Sequence, residues 1–296
     1  MAGGLRVAPA PASSAAALRI ALLGQPRPLI MGVINVTPDS FADGGLCFDQ
    51  DTAVNHALAL AAAGADILDF GGESTRPFSE PTPLNEELQR VLPVIAQVRA
   101  RTPIPISIDT YKSGVARAAL EAGANIINDI SAMRFDPDMV HLAREYGAPV
   151  ILMHMQGTPK GMQAKPHYHD LLGELRAFFQ ERLDFAMSHG LPRELLVLDP
   201  GLGFGKTFQH NMEILNNLDA FLDLGCPLLI GPSRKAFLGH LLGGLPPGER
   251  DIGTLAALAV AVQRGAHIVR VHNVAYAKQF FTVLRAIGQV RRHSPS

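Results

Sequence analysis

The sequence predicts an α/β chain folded as a single-domain (β/α)8, or TIM, barrel. Three observations carry that expectation. Eight short, almost unbroken apolar runs follow one another between residues 29 and 271, and each ends in polar residues. The segments between them repeat apolar side chains at steps of three and four, the period of a helix with one buried face. Four of the passages from helix back to strand carry the same pair, Gly64-Ala65, Gly123-Ala124, Gly147-Ala148 and Gly265-Ala266. Continuous apolar runs suit strands buried on both faces of a parallel sheet. A glycine at a helix end tolerates the left-handed backbone that stops it. A doubly wound open sheet alternates in the same way, but eight units in 296 residues favour the barrel.

Residues 1–17 are rich in Ala, Pro, Ser and Gly and read as a disordered leader, with the barrel over 18–296. A small hairpin pairing 18–23 with the segment near Leu29 is expected to cover the bottom of the barrel. The expected strands are 29–36, 65–70, 104–109, 125–130, 149–155, 195–199, 227–230 and 267–271. The helix over 83–101 places Leu88, Val91, Leu92, Ile95 and Val98 on one stripe, with a kink expected at Pro93. The helix over 168–189 repeats the pattern with Leu172, Leu175, Phe179, Leu183 and Ala186. Thr82-Pro83 and Asp136-Pro137 each set a capping residue before a proline at the first helical position. The apolar segments 254–262 and 275–287 are candidates for a homodimer surface, although core packing would produce the same stripes.

Composition removes several function classes. Lys and Arg number 26 against 27 Asp and Glu, so no broad basic field exists for nucleic acid. No apolar run approaches the ~18 residues of a membrane span, and the N-terminus lacks the order of a secretory signal. Cys47 and Cys226 show no metal-ligand spacing and read as reduced thiols of a cytoplasmic protein.

In such a barrel the chemistry sits at the C-terminal ends of the strands. Those ends read Asn35 and Thr37, Asp69, Asp109, Asn128 with Asp129, His154, Asp199, Ser233 with Lys235, and Arg270 with His272. Any one Asp there reads equally well as a helix cap; eight polar ends together exceed what capping requires. Asp109, Asn128, Asp199 and Lys235 offer the donors and acceptors that grip a flat heterocycle with adjacent N–H and C=O groups. Arg270 and His272, at the usual phosphate position after the last strands, form an anion-binding half. Thr75-Arg76 adds a cation from the second loop, though Arg76 alone reads as a solvated charge. His154 is either a site residue or a satisfied core imidazole.

Two motifs are look-alikes. In Gly201-Leu-Gly-Phe-Gly-Lys-Thr207 the first glycine of a P-loop is replaced by Pro200, and the third glycine of a dinucleotide fingerprint by Lys206. His167-Tyr-His169 has no third metal ligand nearby in sequence and reads as an exposed loop.

The strand-end segments together resemble the dihydropteroate synthase family. They are Met31-Gly-Val-Ile-Asn-Val-Thr-Pro-Asp-Ser-Phe41 with Asp43-Gly-Gly45, Asp69-Phe-Gly-Gly-Glu-Ser-Thr-Arg-Pro77, Ser107-Ile-Asp-Thr110, Asn128-Asp-Ile-Ser131, Met153-His-Met155, Leu198-Asp-Pro-Gly201 with Gly203-Phe-Gly-Lys206, Ser233-Arg-Lys235 and Arg270-Val-His272. The resemblance implies a transferase of folate biosynthesis and a sulfonamide target. Its reaction joins 6-hydroxymethyl-7,8-dihydropterin pyrophosphate to p-aminobenzoate, giving 7,8-dihydropteroate and pyrophosphate by an SN1-like path. By that resemblance Asp109, Asn128, Asp199 and Lys235 bind the pterin and carry catalysis. Asn35 holds Mg²⁺ on the pyrophosphate, with Thr75, Arg270 and His272. Phe41, Asp43, Thr75, Arg76, Pro77, Phe204 and Lys235 frame p-aminobenzoate. A homodimer is implied as well.

Ala42, Ala236 and Asn273 depart from the Ser, Ser and Asp common in the family. A methyltetrahydrofolate:corrinoid methyltransferase would share Asp109, Asn128 and Asp199 but has no use for Ser233-Arg-Lys235 or the Arg270/His272 end. A non-catalytic pterin-binding barrel predicts loss of polar strand ends, and the main ones are present.

Overall fold

The computed structural model describes residues 27–37, 50–74 and 79–288. The leader, the 18–23 hairpin, Cys47 and parts of the loops after the first two strands lie outside the described residues.

Eight parallel strands form one sheet: β1 (Leu29–Asn35), β2 (Ile67–Gly71), β3 (Ile106–Asp109), β4 (Ile126–Asp129), β5 (Val150–Met153), β6 (Leu196–Asp199), β7 (Leu229–Ile230) and β8 (Ile268–Val271). Each pairs with its neighbour in sequence, and β1 also pairs with β8. Between β6 and β7 a single parallel bridge, Leu198 to Leu228, completes the ring. The helices lie outside it: α1 (Gln50–Ala62), α2 (Leu84–Arg99), α3 (Ser113–Glu121), α4 (Asp138–Tyr146), α5 (Leu171–Ser188), α6 (Phe208–Asn216), α7 (Ala236–Leu241), α8 (Asp251–Gln263) and α9 (Val274–Gly288).

The runs read from sequence are all strands, but several begin later than their apolar character suggests. Pro105, Pro149 and Pro227 explain three of these late starts. A proline has no N–H for the ladder, so it can only accept. Pro105 accepts from Leu68 N (3.0 Å), Pro149 from Ile127 N (2.9 Å) and Pro227 from Leu198 N (2.9 Å). The helix starts shift similarly. Pro83 and Pro137 occupy the capping position rather than the first helical one. Asp136, one residue ahead of that position, accepts from Asp138 N at 3.1 Å, whereas the Thr82 side chain makes no such bond to α2. That helix runs on through Pro93. The junction glycines behave as read: Gly64, Gly123, Gly147 and Gly265 have φ of 99°, 111°, 59° and 91°.

Alternation along the strands makes two cores. One face of each strand meets the helices, with Ile30, Ile34, Leu68, Phe70, Ile106 and Ile108 in the larger cluster. The other face points into the barrel, where Leu29, Met31, Ile67, Ile126, Ile151, Val197, Leu229 and Ile268 fill the floor. Burying each such side chain contributes about 1.5–3 kcal/mol. This floor seals the N-terminal end, so the next inward residues up each strand form the bottom of a cleft.

Candidate active site

That cleft, about 920 Å³ at the C-terminal ends of the strands, is lined by Asn35, Asp109, Asn128, Asp199, Phe204, Lys235, Arg270 and His272. Eight of the thirteen candidate residues therefore converge on one cavity. Phe41, Thr75, Arg76 and Pro77, with Asp43 and Ala42, lie outside the described residues.

The two-residue period explains the convergence. Ile67, Ile126, Val197 and Ile268 belong to the floor, so Asp69, Asn128, Asp199 and Arg270, two residues on, point inward just above it. Register sets their heights: Asp69 lies beside Ser107, and Asp109 beside Asn128. The same period separates neighbours of similar chemistry. Asp129, next to Asn128, accepts from Ser131 N (2.7 Å), Ser131 Oγ (2.7 Å) and Met133 N (2.8 Å) and fastens a turn, the capping role an Asp there can always play.

The charges are paired across the barrel. Arg270 donates from Nε to Asp69 Oδ2 at 2.7 Å and from Nη2 to Asp109 Oδ2 at 2.8 Å. Asn128 Nδ2 donates to the same Asp69 oxygen at 3.1 Å, and Asp69 Oδ1 is buried with no protein partner. From sequence Asp69 reads only as a polar strand end; its position two residues after the floor residue Ile67 is the signal that it faces inward. Arg270, expected from its place in the fold to face an anion, stands between two carboxylates. Burial works against its charge, but Asp69 and Asp109 outweigh that and hold its pKa above the usual guanidinium range. Burial pushes Asp109 up to about 7, with Arg270 opposing and Asp69 reinforcing the shift. Burial likewise raises Asp199 to about 6, against the bond its Oδ1 accepts from Gly201 N at 2.8 Å.

Lys235 and Phe204 form the upper wall. The Lys235 ammonium stands 4.2 Å from the centre of the Phe204 ring. Burial, then Arg270, brings Lys235 down to about 8. Its position depends on the Ser233-Arg234-Lys235 turn, in which Arg234 has a left-handed φ of 59°. That conformation is held from α8. Asp251 accepts both Nε (2.8 Å) and Nη2 (3.0 Å) of Arg234, and Arg250 Nη1 donates to the Arg234 carbonyl (3.0 Å). Asn273 Nδ2 donates to Asp251 Oδ2 at 2.9 Å. This accounts for the departure at 273, because an aspartate there would set a second carboxylate against Asp251. Ala236 opens α7 and lines the cleft. Ser233 Oγ lies 2.9 Å from His272 Nδ1. Burial and Arg270 keep His272 down to about 3, so it is a neutral imidazole at physiological pH.

The P-loop look-alike is a different device. A Cβ on Gly201 would come within 2.1 Å of the His154 carbonyl oxygen, and its φ is 66°. Only glycine fits that close approach. Downstream, Thr207 caps α6 in a reciprocal box with His210. His154, left open by the sequence, is 6% exposed and faces Lys206. His167 and His169 are exposed, and among the described residues no group of three His, Cys, Asp or Glu side chains is placed to hold a metal. A hard cation accepts a single amide oxygen when phosphate oxygens complete its shell. Asn35, lining the cleft at the end of β1, fits Mg²⁺ brought on a pyrophosphate.

This mouth, with its buried carboxylates, its amide and its cation-bearing wall, lies wholly within the stretch that a family profile matches. Residues 31–272 match the family profile described as pterin binding enzyme. A dihydropteroate synthase of Synechocystis is 46% identical over 261 residues, covering 88% of this chain and 90% of that protein. The Xanthomonas albilineans dihydropteroate synthase solved with 4-aminobenzoic acid superposes with a TM-score of 0.84 at 45% identity, covering 90% of this chain and 94% of that one. The same enzyme in complex with 7,8-dihydropteroate gives 0.82 at 43% identity, covering 90% and 95%. The chain belongs to the dihydropteroate synthase family, whose members are transferases.

Proposed function

We propose that this chain condenses 6-hydroxymethyl-7,8-dihydropterin pyrophosphate with p-aminobenzoate, releasing pyrophosphate and 7,8-dihydropteroate. The observation that carries the reading is the convergence of Asp109, Asn128, Asp199 and Lys235 in one cleft that also holds Phe204. The carboxylates and the amide meet the N–H and C=O edge of the pterin, and the Asp69–Arg270–Asp109 network fixes them for it. The methylene carbon–oxygen bond breaks with its electron pair leaving on pyrophosphate. The pterin methylene becomes cationic, and Asp109 and Asp199 stabilise that charge where it develops. The arylamine nitrogen then forms the new bond and loses a proton to solvent. Mg²⁺ on the leaving group, held through Asn35, supplies charge neutralisation for pyrophosphate. His272, neutral and bonded to Ser233, offers a ring N–H rather than a charge. Phe41, Asp43, Thr75, Arg76 and Pro77 would complete the p-aminobenzoate wall and exclude water, with Thr75 also reaching the pyrophosphate.

Purified protein given both substrates and Mg²⁺ is expected to form 7,8-dihydropteroate and pyrophosphate in equal amounts. Absence of dihydropteroate under those conditions would remove the reading.

The assembly proposed is a homodimer through α8 and α9, which expose Ile252, Val260, Tyr276, Val283 and Ile287. Apolar side chains gathered on adjacent helices mark interaction surfaces. Light scattering is expected to give about twice the 31.7 kDa of one chain, and Val283→Glu with Ile287→Glu to halve that mass. A monomeric mass for the unaltered protein would refute it. A cytoplasmic location goes with the reading, and no described helix is long and apolar enough to cross a membrane.

A further inference from the structure

Lys206 is 2% exposed, and among the described residues no carboxylate pairs with it. Such burial of an ammonium is costly unless every N–H is met. Three neutral acceptors meet it here: His154 Nδ1 at 2.9 Å, the Phe204 carbonyl oxygen at 3.0 Å and the His154 carbonyl oxygen at 3.4 Å. Burial brings Lys206 down to about 7, with Asp199 opposing, and every N–H it carries has an acceptor within reach. A methionine of similar length would fill the same space without the desolvation cost, so packing alone gives no reason for a lysine.

The anchor on the other side is rigid. His154 follows β5, donates from its backbone N to the Asp199 carbonyl at 2.8 Å, and packs edge-on against Phe178 with ring centres 4.7 Å apart. Burial, reinforced by Lys206, keeps the imidazole far below its ordinary pKa, so it stays an acceptor. The Lys206 backbone is gripped separately by Gln163, which accepts from Lys206 N at 3.1 Å, while Tyr168 donates to the Gly205 carbonyl at 2.9 Å. Those two bonds hold the loop beyond Phe204. The Lys206 ammonium reaches back to Phe204 itself, whose ring carries Lys235 at 4.2 Å.

We propose that Lys206 is a positioning residue: through His154 it ties the Phe204 backbone to the end of β5 and so fixes the aromatic wall against which p-aminobenzoate packs. The inference rests on the reading of Phe204 as part of that wall. It assigns Lys206 mainly to p-aminobenzoate, because Asp109 and Asn128 stand on β3 and β4, Asp199 is held through a His154 backbone bond that does not use the Lys206 side chain, and Lys235 is fixed by the Arg234 turn.

The test is steady-state kinetics on the full chain carrying Lys206→Met, His154→Leu, His154→Asn or Phe204→Ala, with thermal unfolding measured on each. Lys206→Met and His154→Leu are expected to raise the KM for p-aminobenzoate about tenfold while leaving that for pterin pyrophosphate within about twofold. His154→Asn, which restores a side-chain acceptor, is expected to recover most of the loss. If Lys206→Met does not fold, His154→Leu carries the comparison. Equal rises in both KM values would overturn the proposal and leave a purely structural role. An unchanged p-aminobenzoate KM in folded Lys206→Met, with a raised one in Phe204→Ala, would overturn it and spare the Phe204 reading. An unchanged KM in Phe204→Ala would instead sink that reading and the proposal with it.

Discussion

Replacing Arg270 with alanine is expected to cost about 3–5 kcal/mol of folding stability and to abolish measurable binding of pterin pyrophosphate. Arg270 sits between Asp69 and Asp109 at 2.7 and 2.8 Å, and the Asp69 side chain is fully buried. Removing one partner of a buried ionic group leaves its counter-charges unpaired, which costs more than the pair itself is worth. The loss should depend on pH in a definite direction. Asp109 titrates near 7 in the folded chain and near 3.8 unfolded. Between those values the folded state holds a proton the unfolded state has released, so this group's contribution to stability falls as pH rises through that window. Arg270 acts to lower the Asp109 pKa. Without it the carboxyl goes higher still, and the window extends upward. Urea unfolding should therefore show a smaller deficit for Arg270→Ala at pH 5 than at pH 8. Adding Asp69→Asn and Asp109→Asn to the variant should return much of the stability, because no unpaired charge is left, without returning pterin binding. A deficit independent of pH would mean that lost packing, not charge, is responsible.

That network also marks where sequence reading stopped. The barrel was legible because its signals are local. Each apolar run, each helical stripe and each junction glycine lies within a few residues, and all eight strands and the left-handed glycines appear where those signals put them. The candidate residues were legible for the same reason, since a polar residue at a strand end faces the mouth once the fold is known. Their partners were not. Arg270 is separated from Asp69 by 201 positions and from Asp109 by 161, and only ring closure through β1 and β8 brings them together. Sequence therefore shows no role for Asp69, and it points Arg270 to an anion only through its place in the fold. Lys206 reads from sequence only as the end of the segment Gly203-Phe-Gly-Lys206 and as the residue that spoils a dinucleotide fingerprint. Nothing in a glycine-rich loop foretells that its lysine turns back to a histidine 52 positions away. The departure at Asn273 acquired a reason only once Asp251 was seen beside it.

The second large effect is expected at Lys235, whose replacement by alanine should lower kcat/KM by about 10²–10³-fold with the fold retained. Lys235 is held in place from outside the cleft. The left-handed Arg234, its two bonds to Asp251 and the Arg250 contacts with the Arg234 and Lys235 carbonyls all survive removal of the Lys235 side chain. The variant should therefore melt close to the unaltered protein, unlike Arg270→Ala. What is lost is an ammonium standing over the Phe204 ring and facing the acidic half of the site. Arginine should replace it only in part, since its planar fork can stack on the Phe204 ring but does not reproduce the compact ammonium that faces the carboxylates. Protonation gives a second, independent reading of the same group. With its pKa brought down to about 8, the ammonium is present below that value and is lost as pH rises through it. The alkaline limb of the kcat/KM profile should fall near pH 8 in the unaltered enzyme and be absent in Lys235→Ala. If the limb persists unchanged in that variant, some other group sets it. If turnover also stays near normal, Lys235 has no part in the chemistry, and the cation of the upper wall must be sought elsewhere.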